Sequence, residues 1–413
     1  MEKKIKVSII GIGGRGTTYI DRMVKEHGGY ELVSICDINP ERIALAKTLF
    51  GIPDVQVFLN EDDFFKEKRG DLCVVSTQDQ DHVRHAIKAL ELGYDVLCEK
   101  PISNQENEVR ELLKAQKKYG KKVFICHVLR YAPAFKKVKE LIDEGVIGDI
   151  VTIDAVENVY YEHYCHSFVR GLWRNSNETS PMILAKCCHD LDLLTWYAGS
   201  ECDFVSSMGD NRFFNHEHKP AGASDRCKDC KYRGKCQFDA YHSYIDRNFW
   251  GKWYLTNERP IKDENVIKAL DNGQYGRCVF ACDNNVVDNQ IVNIRFKNGI
   301  TANLKMLGFT ATSGRIMKFY GTHGQIDLDE VAGKITIMVF GEKEQVIEIS
   351  TLTDTFSGHG GGDKSLAKHL YNALVNNDMS GMSSLSVSVE SHLMGFAAEE
   401  SRLNNGKLIQ IKH

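Results

Sequence analysis

The sequence contains no long hydrophobic run and no excess of charge of either sign. No apolar stretch approaches the roughly 20 residues that a transmembrane helix needs, and the charged N-terminal segment 1–6 lacks the apolar region of a secretory signal. The chain carries 52 basic and 56 acidic residues, a formal net charge of -4, so it offers no basic field to nucleic acid or to a membrane surface. Internal repeats and low-complexity segments are also missing. We therefore expect a cytoplasmic protein with neither a nucleic-acid nor a membrane partner.

Disulfide bonds are not expected either, although the chain has 13 cysteines. Without an export signal, a reducing compartment and free thiols are the natural interpretation. Cys36, Cys73, Cys98 and Cys126 lie in apolar runs, where cysteine acts as a small hydrophobic residue. With 413 residues, of which 42% are hydrophobic, the chain is long enough for two domains.

Two patterns of secondary structure divide the chain. Up to about residue 128, short apolar runs alternate with helical segments, which predicts a parallel sheet covered on both faces. After that point, longer alternating stretches predict an antiparallel sheet, with one helix at Ile183–Tyr197 and two late helices at Asp363–Val375 and Val387–Leu403. Residues from about 210 to 286 are polar and rich in aromatics and cysteine, and we interpret them as an insertion.

A glycine-rich turn follows the first apolar run. Residues 11–16 read Gly-Ile-Gly-Gly-Arg-Gly between a predicted strand and helix, and Asp37 ends the next strand, which together indicate a dinucleotide site. The first glycine permits the tight turn, the second lets the backbone approach the pyrophosphate, and the helix N-terminus attracts the phosphates. Asp37 would bind the adenosine ribose and repel a 2′-phosphate, which favours NAD over NADP, although Arg42 lies nearby. The alternative is a glycine turn that serves packing alone.

Further motifs resemble the glucose–fructose oxidoreductase / inositol dehydrogenase (Gfo/Idh/MocA) family over nearly the whole chain. They are Thr77-Gln78-Asp79-Gln80-Asp81-His82, Glu99-Lys100-Pro101, Arg130-Tyr131-Ala132-Pro133 with Gly145-Val146-Ile147-Gly148, and His189-Asp190-Leu191-Asp192. The combination is specific, although each motif alone is not. The cofactor-binding residues expected from the loop and the motifs are Gly11, Gly13, Gly14, Arg15, Gly16, Asp37, Ile38, Arg42, Ser76, Thr77, Gln78, His82, Glu99 and Lys100.

The resemblance implies a fold, an activity and a site. The fold is α/β, with a Rossmann domain over residues 1–128 and an α/β domain over 129–413, whose large, mostly antiparallel sheet has an open face that often mediates homo-oligomers, here a dimer or tetramer. The activity is NAD(P)-dependent oxidation or reduction of a sugar, glycoside or cyclic polyol. Lys100, at the carboxyl edge of the parallel sheet, would polarise or deprotonate the reacting hydroxyl, and His189 would act as general acid/base.

One position departs from the family's D-x-G-x-H pattern. Ala185 replaces the aspartate four residues before the histidine, and Lys186 follows it, on the same face of a predicted helix as His189. We hypothesise that Lys186 takes over the site of the missing carboxylate, because a second cation favours the basic form of a neighbouring lysine. The alternatives are an ion pair of Lys186 with Asp190 and an ordinary core position for His189. Asp192 is expected to orient His189 or to cap local backbone.

Substrate contacts are expected from a polar and aromatic segment after the first strand of the second domain. Aromatic faces with hydrogen-bonding tips suit sugar recognition, but an ordinary loop with surface aromatics explains the segment equally well. The run His359-Gly360-Gly361-Gly362-Asp363 also resembles a family stretch, and the role of its histidine stays open. The expected substrate residues are Arg130, Tyr160, Trp173, Arg174 and Asp192.

Cysteines in the insertion have a spacing that suits a soft metal. Cys227, Cys230 and Cys236 form C-x2-C-x5-C, and tetrahedral zinc needs a fourth ligand. We expect Cys282 there, with Cys278, Cys202 and His242 as alternatives. Structural zinc is favoured over an iron–sulfur cluster, because a recognised cluster spacing is missing, and free surface thiols are the remaining alternative.

Three functions fit the sequence. The leading one is the NAD-dependent oxidoreductase described above. The second is a redox-neutral glycosidase, in which oxidation of a ring hydroxyl permits elimination, hydration and return of the hydride. The third is a dinucleotide sensor without catalysis, against which Lys100 and His189 argue.

Overall fold

The first half of the chain forms a parallel sheet with helices on both faces. The computed structural model describes residues 4–52, 55–353, 357–379 and 381–413, so residues 1–3 of the charged N-terminal segment lie outside it. The strands are β1 (Ile5–Ile10), β2 (Tyr30–Cys36), β3 (Gln56–Phe58), β4 (Leu72–Val75), β5 (Asp95–Cys98) and β6 (Val123–Ile125). They pair in parallel in the order β3-β2-β1-β4-β5-β6. This confirms the predicted Rossmann sheet.

Six helices accompany this sheet and the start of the second domain. They are α1 (Gly14–Tyr19), continued by a π-helical segment (Ile20–His27), α2 (Pro40–Phe50), α3 (Glu61–Phe64), α4 (His82–Glu91), α5 (Glu106–Tyr119) and α6 (Pro133–Asp143). Local signals explain their ends. Asn39 caps α2 by accepting a hydrogen bond from the Glu41 amide, and Gly51 ends it in the left-handed conformation.

The second sheet has nine strands and is antiparallel except at one pair. The strands are β7 (Ile150–Tyr160), β8 (Cys202–Asp210), β9 (Asn289–Phe296), β10 (Thr301–Thr310), β11 (Gly314–Gly321), β12 (Gly324–Asp329), β13 (Lys334–Val339), β14 (Gln345–Glu348) and β15 (Ile409–Gln410). Their order is β14-β13-β12-β11-β7-β10-β9-β8-β15, with β7 and β10 parallel. The mostly antiparallel sheet that the sequence predicts is therefore confirmed.

The remaining helices belong to the second half of the chain, and one of them, α10, packs within the insertion. They are α7 (Tyr161–Tyr164), α8 (Met182–Ala185), α9 (Cys188–Ala198), α10 (Asp263–Asn272), α11 (Ser357–Gly360), α12 (Gly362–Val375) and α13 (Leu385–Leu403). The late helices agree with the prediction, but the single helix predicted at Ile183–Tyr197 is wrong. It is broken into α8 and α9 at Lys186, so Lys186 and His189 do not share one continuous helix face.

Two long-range contacts bring distant parts of the chain to the parallel sheet. Leu366 and Leu370 of α12 belong to the same apolar cluster as Val7 and Ile9 of β1. In the insertion, between β8 and β9, the Tyr254 ring lies against the glycine-rich turn, where a Cβ on Gly14 would meet it at 2.7 Å. No helix among the described residues is long and apolar enough to cross a membrane.

Candidate active site

The glycine-rich turn has the close contacts that its sequence requires. Gly11 has φ +91, and a Cβ there would meet the Ser76 carbonyl oxygen at 2.4 Å. A Cβ on Gly16 would meet the Gly11 carbonyl oxygen at 2.1 Å, so the helix packs directly on the turn. A Cβ added at Gly13 would meet no atom within 4 Å. This leaves the space that a dinucleotide pyrophosphate needs beside the backbone.

Asp37 is buried behind this turn at the end of β2. Its Oδ2 accepts a hydrogen bond from the Ile12 amide at 2.7 Å, and its Oδ1 accepts one from the Asn39 amide at 2.8 Å. The Arg42 guanidinium approaches to 3.9 Å, and Ile38 is 87% exposed at the edge. Asp37 therefore fixes the glycine-rich turn through the two backbone amides.

The residues after β4 are held by one histidine. The two ring nitrogens of His82 lie 2.8 Å from the Pro101 carbonyl oxygen and 3.1 Å from that of Thr77. Its ring is buried, so His82 joins the loops after β4 and β5 instead of offering a nitrogen to a cofactor. Ser76 donates to the Gly11 carbonyl at 2.8 Å, and Gln78 is half-buried beside them.

Arg15 and Glu99 form an ion pair at 2.5 Å across this edge of the sheet. Arg15 also binds Asp363 of α12 at 2.7 Å, and Tyr19 donates a hydrogen bond to Glu99. Burial alone would raise the pKa of Glu99, but Arg15, Tyr19 and Lys100 outweigh it and hold the pKa below its ordinary value. Arg15 and Glu99, expected at the cofactor, are thus engaged with each other and with the far end of the chain.

Lys100 reaches the break between α8 and α9. Its ammonium donates to the Ala185 carbonyl at 2.9 Å. A helix that stops at Ala185 leaves terminal carbonyls without partners inside the helix, and Lys100 satisfies one of them. Ala185 stands where the resemblance places an aspartate, and it binds Lys100 through its backbone carbonyl instead of a carboxylate.

His189 lies on the first turn of α9 and is only 4% exposed. Its ring centre is 5.8 Å from those of His127 and His359. Its Nδ1 has no hydrogen-bond partner among the described residues. Burial lowers the pKa of His189 well below its ordinary value, and the charge of Lys100 lowers it further. The imidazole is therefore neutral near pH 7.

Lys186 binds a carboxylate that the sequence did not single out. Its ammonium lies 3.0 Å from Glu157 of β7, and Arg315 lies 2.8 Å from the same carboxylate. Asp190 pairs with Arg315 instead of Lys186, also at 2.8 Å. Burial alone would raise the pKa of Glu157, but the cations hold it below its ordinary value. A strand-alternation signal could have found this residue, because Glu157 falls on the same buried face of β7 as Ile153.

His359 joins the site from the glycine run before α12. Its Nδ1 lies 3.0 Å from the Asp363 carboxylate, and its backbone has φ +54. On the other side, His163 has a pKa well below its ordinary value because of burial and the nearby charges of Lys186 and Lys100. The structure thus brings Lys100, Lys186 and His189 together with three further imidazoles, those of His127, His163 and His359.

The expected substrate residues are mostly engaged elsewhere. Arg130 and Asp192 form a buried bidentate ion pair at 2.5 and 2.8 Å, which corrects the expectation that Asp192 orients His189. Arg174 is bound to Asp283 in the insertion at 2.8 Å. Trp173 is 36% exposed, and Tyr160 packs edge-on against Tyr161 at 4.8 Å between ring centres.

The cysteines of the insertion lie around a separate cavity. Cys227, Cys230 and Cys236 line it together with Cys278, one of the alternatives for the fourth ligand, whereas Cys282 does not line it. The Cys282 thiol donates to the Cys278 carbonyl at 3.3 Å. Within the described ranges, no group of three metal-ligating side chains has the geometry to hold an ion.

Comparison with known families agrees with this architecture. The family model described as "Oxidoreductase family, NAD-binding Rossmann fold" matches residues 5–127, and its companion, "Oxidoreductase family, C-terminal alpha/beta domain", matches residues 139–408. The chain belongs to the Gfo/Idh/MocA family. It is therefore an NAD-binding oxidoreductase, and the glycine-rich turn lies in the part of the chain that carries the cofactor in this family.

Individual members of the Gfo/Idh/MocA family are distant from this chain. The Bacillus subtilis protein YteT, named as an oxidoreductase, is 25% identical over 83% of this chain and 82% of its own length. A 2,7-anhydro-N-acetylneuraminate hydratase of Mediterraneibacter gnavus is 27% identical over 51% of this chain and 53% of its own length. The crystal structure of a Lactobacillus casei scyllo-inositol dehydrogenase with bound NAD(H) and scyllo-inositol superposes with a TM-score of 0.69 at 18% identity, covering 99% of both chains. That likeness establishes the shared fold.

Proposed function

We propose that this protein transfers a hydride between NAD and a carbinol carbon of a sugar, glycoside or cyclic polyol. The observation that carries the proposal is the convergence of the Lys100 ammonium and the neutral His189 imidazole beside the carboxyl edge of the parallel sheet. Ligands of open α/β sheets bind at that edge. The bound scyllo-inositol of the Lactobacillus casei relative supports a polyhydroxylated substrate.

Each residue has a distinct chemical role in oxidation. A bound NAD would supply the hydride acceptor for the carbinol carbon, and the neutral His189 imidazole would take the proton of the hydroxyl on that carbon. Lys100 donates to the hydroxyl oxygen and stabilises the negative charge that develops there. Lys186, whose charge Glu157 balances, binds a neighbouring substrate hydroxyl.

Asp37 makes NAD the preferred cofactor. Its carboxylate is fixed by the amides of Ile12 and Asn39, so it cannot move away from a 2′-phosphate without releasing the turn. Arg42 lies 3.9 Å from Asp37 and is drawn toward that carboxylate.

Aromatic side chains of the insertion favour a substrate with a second ring. Trp250 is 45% exposed, and its ring centre lies 5.1 Å from that of His163, which borders the lysines of the site. A sugar or aglycone ring that extends from the reacting sugar would stack on Trp250. We expect Trp250→Ala to lower kcat/KM for an aryl glycoside by roughly threefold to tenfold and to leave the free sugar unaffected, with Trp253→Ala as the control. Equal loss on both substrates would contradict a glycoside subsite.

A redox-neutral cleavage of glycosides is the second candidate. His359 supplies an acid/base group beyond Lys100 and His189, as elimination and hydration of a keto-glycoside would require. The hydratase name of the Mediterraneibacter gnavus relative also fits chemistry with addition or loss of water. Release of a chromogenic aglycone without accumulation of NADH would favour this reaction.

One assay separates these candidates. The purified protein is incubated with NAD and a panel of free sugars, inositols and aryl glycosides, while NADH and released aglycone are measured together. Steady NADH formation supports the dehydrogenase. Binding of NAD without turnover on the whole panel would contradict both enzymatic proposals and favour the sensor.

We also propose a homo-oligomer, a dimer or tetramer, formed through the open face of the second sheet. Val151, Met208 and Ile291 are exposed apolar side chains on strands of that sheet. Light scattering of the protein and of an Ile291→Lys variant tests this, and a monomeric wild-type protein would contradict it.

A further inference from the structure

A cavity of about 140 Å³ lies inside the insertion, far in sequence from the Lys100 and His189 motifs. Four thiols line it. Three belong to the C-x2-C-x5-C motif, and the fourth comes from the segment before β9; they are Cys227, Cys230, Cys236 and Cys278. Side chains of both chain segments, including Phe238 and Phe280, close its walls.

The cavity that the four thiols line is larger than the space a single ion occupies. Zinc holds four sulfurs at about 2.3 Å from one point, which leaves no space between them. In the described part of the chain no three metal-ligating side chains converge in this way. The cysteines instead surround a space that a group of several atoms fills.

The charge around the cavity indicates what kind of group this is. Arg170 is 2% exposed and forms no ion pair with a carboxylate of the described chain; its guanidinium donates to the carbonyls of Arg277 and Phe238, each at 2.7 Å, and to the Cys227 thiol at 3.8 Å. A buried cation without a counter-charge is strongly unfavourable. A metal cluster held by thiolates is negatively charged and would supply the counter-charge for Arg170.

We propose that these four cysteines ligate an iron–sulfur cluster of the [4Fe–4S] type. Each thiol gives up its proton to solvent and binds one iron as a thiolate, and the iron and sulfide come from the cell's supply for cluster assembly. The C-x2-C-x5-C spacing differs from the ferredoxin run C-x2-C-x2-C, so the sequence favoured zinc. Arg170 would balance the negative charge of either metal site, and the size of the cavity reverses that preference.

The cluster would hold the insertion together and attach it to the second domain. The insertion has only a small apolar core of its own, which includes Tyr244, Phe249, Val266 and Leu270. Cluster ligation ties the loop 227–236 to residue 278, and Arg170, which follows α7, anchors both to the domain. The cluster is therefore structural, and hydride transfer does not pass through it.

The direct test is the metal content of the native protein, expressed and purified without oxygen and without added metal. We expect about four iron atoms and four acid-labile sulfides per chain, with a broad visible absorbance that dithionite bleaches. Stoichiometric zinc without iron would overturn the cluster in favour of one ion. The absence of both metals would overturn any metal site.

Matched variants test the ligand set. We expect Cys236→Ala and Cys278→Ala to lose the visible absorbance and most of the iron. Cys282→Ala removes a buried thiol that does not line the cavity and should retain both. Retention of NAD binding, measured by titration, shows that each variant is folded. Full iron in Cys278→Ala together with loss in Cys282→Ala would overturn the proposed fourth ligand.

Discussion

The Lys186 ammonium lies 3.0 Å from the carboxylate of Glu157, in a group of charges that also contains Arg315 and Asp190. The Glu330 carboxylate lies 3.9 Å from Arg315 as well, so two cations face three carboxylates there. The charge of Lys186 is therefore compensated by Glu157, a residue of strand β7, so the Lys186 ammonium is not an unpaired cation in this partly buried place.

Removal of the Glu157 charge should destabilise the protein. In Glu157→Gln, Lys186 and Arg315 lose a buried counter-charge, which costs about 3–5 kcal/mol when one partner of a buried pair is removed. The free energy of unfolding, measured with urea, should fall by that amount, while the exposed Glu342→Gln should change it by less than about 0.5 kcal/mol. Equal stabilities of the two variants would show that the charges are compensated in another way.

Loss of the His189 imidazole should affect catalysis and not cofactor binding. His189→Asn removes the proton acceptor, and kcat should fall by roughly 10²–10⁴ because general acid–base catalysis contributes that factor. The NAD dissociation constant should stay within about twofold of the wild type. The exposed His216→Asn is the control, and an unchanged kcat in His189→Asn would refute the assigned role.

The identity of the residue at position 37 should set the cofactor preference. Asp37→Ser removes the negative charge beside the ribose, so the ratio of kcat/KM for NAD to that for NADP should fall at least about tenfold, or about 1.4 kcal/mol. Glu31→Ser, on the exposed side of the same strand, should leave the ratio unchanged. If the ratio is preserved in Asp37→Ser, another group distinguishes NAD from NADP, and Arg42 would be the first residue to test.

Buried histidines should make the fold sensitive to acid. Burial lowers the pKa of His127 to about 4 and the pKa values of His166 and His392 to about 3. Below the ordinary pKa of 6.5, the unfolded chain binds protons that the folded chain does not, so the free energy of unfolding falls as pH decreases from 6.5 toward 4. Each histidine contributes about 1.4 kcal/mol per pH unit in this window.

Denaturation measured at several pH values tests this dependence. His392→Asn should reduce the slope of stability against pH by the share of one histidine, whatever its effect on absolute stability. The exposed His216→Asn should leave the slope as it is. A slope that does not change in His392→Asn would mean that this imidazole is protonated in the folded protein.

The contact of Gly14 with Tyr254 should appear as coupling between two mutations. Gly14→Ala places a methyl group 2.7 Å from the Tyr254 ring, which should push the insertion off the glycine-rich turn and lower Tm. Tyr254→Ala in the same chain should restore part of the loss, with a coupling energy of about 0.5–3 kcal/mol. Trp253→Ala should restore none of it, and additive effects of Gly14→Ala and Tyr254→Ala would contradict the contact.

The parallel sheet was predictable because its signals are local. Apolar runs such as Leu72–Val75 are buried on both faces, and the glycine spacing has one well-known structural use. Two elements were missed. Strand β3 has only three residues, too few for a pattern, and α10 lies within the residues that were interpreted as an irregular insertion, although Val266 and Leu270 are buried one turn apart.

The break after Ala185 could not be predicted, because nothing in the local sequence stops a helix there. No glycine or proline interrupts the run. Two residues that are distant in sequence contact the chain at the break. Lys100 binds the Ala185 carbonyl, and Glu157 binds the Lys186 ammonium. For a similar reason spacing could not decide between Cys278 and Cys282, since only the folded loop determines which thiol faces the cavity.

The packing of α12 against β1 has a consequence for synthesis on the ribosome. Leu366 and Leu370 complete the apolar cluster that begins at Ile5, and Asp363 completes the ion pairs of Arg15. When residue 128 has been translated, this cluster is still open, and residue 375 follows on the order of 10–50 s later at ordinary translation rates. During that interval the nascent sheet presents an apolar face, so the packing and ion pairs around the glycine-rich turn are completed only after α12 has been synthesised.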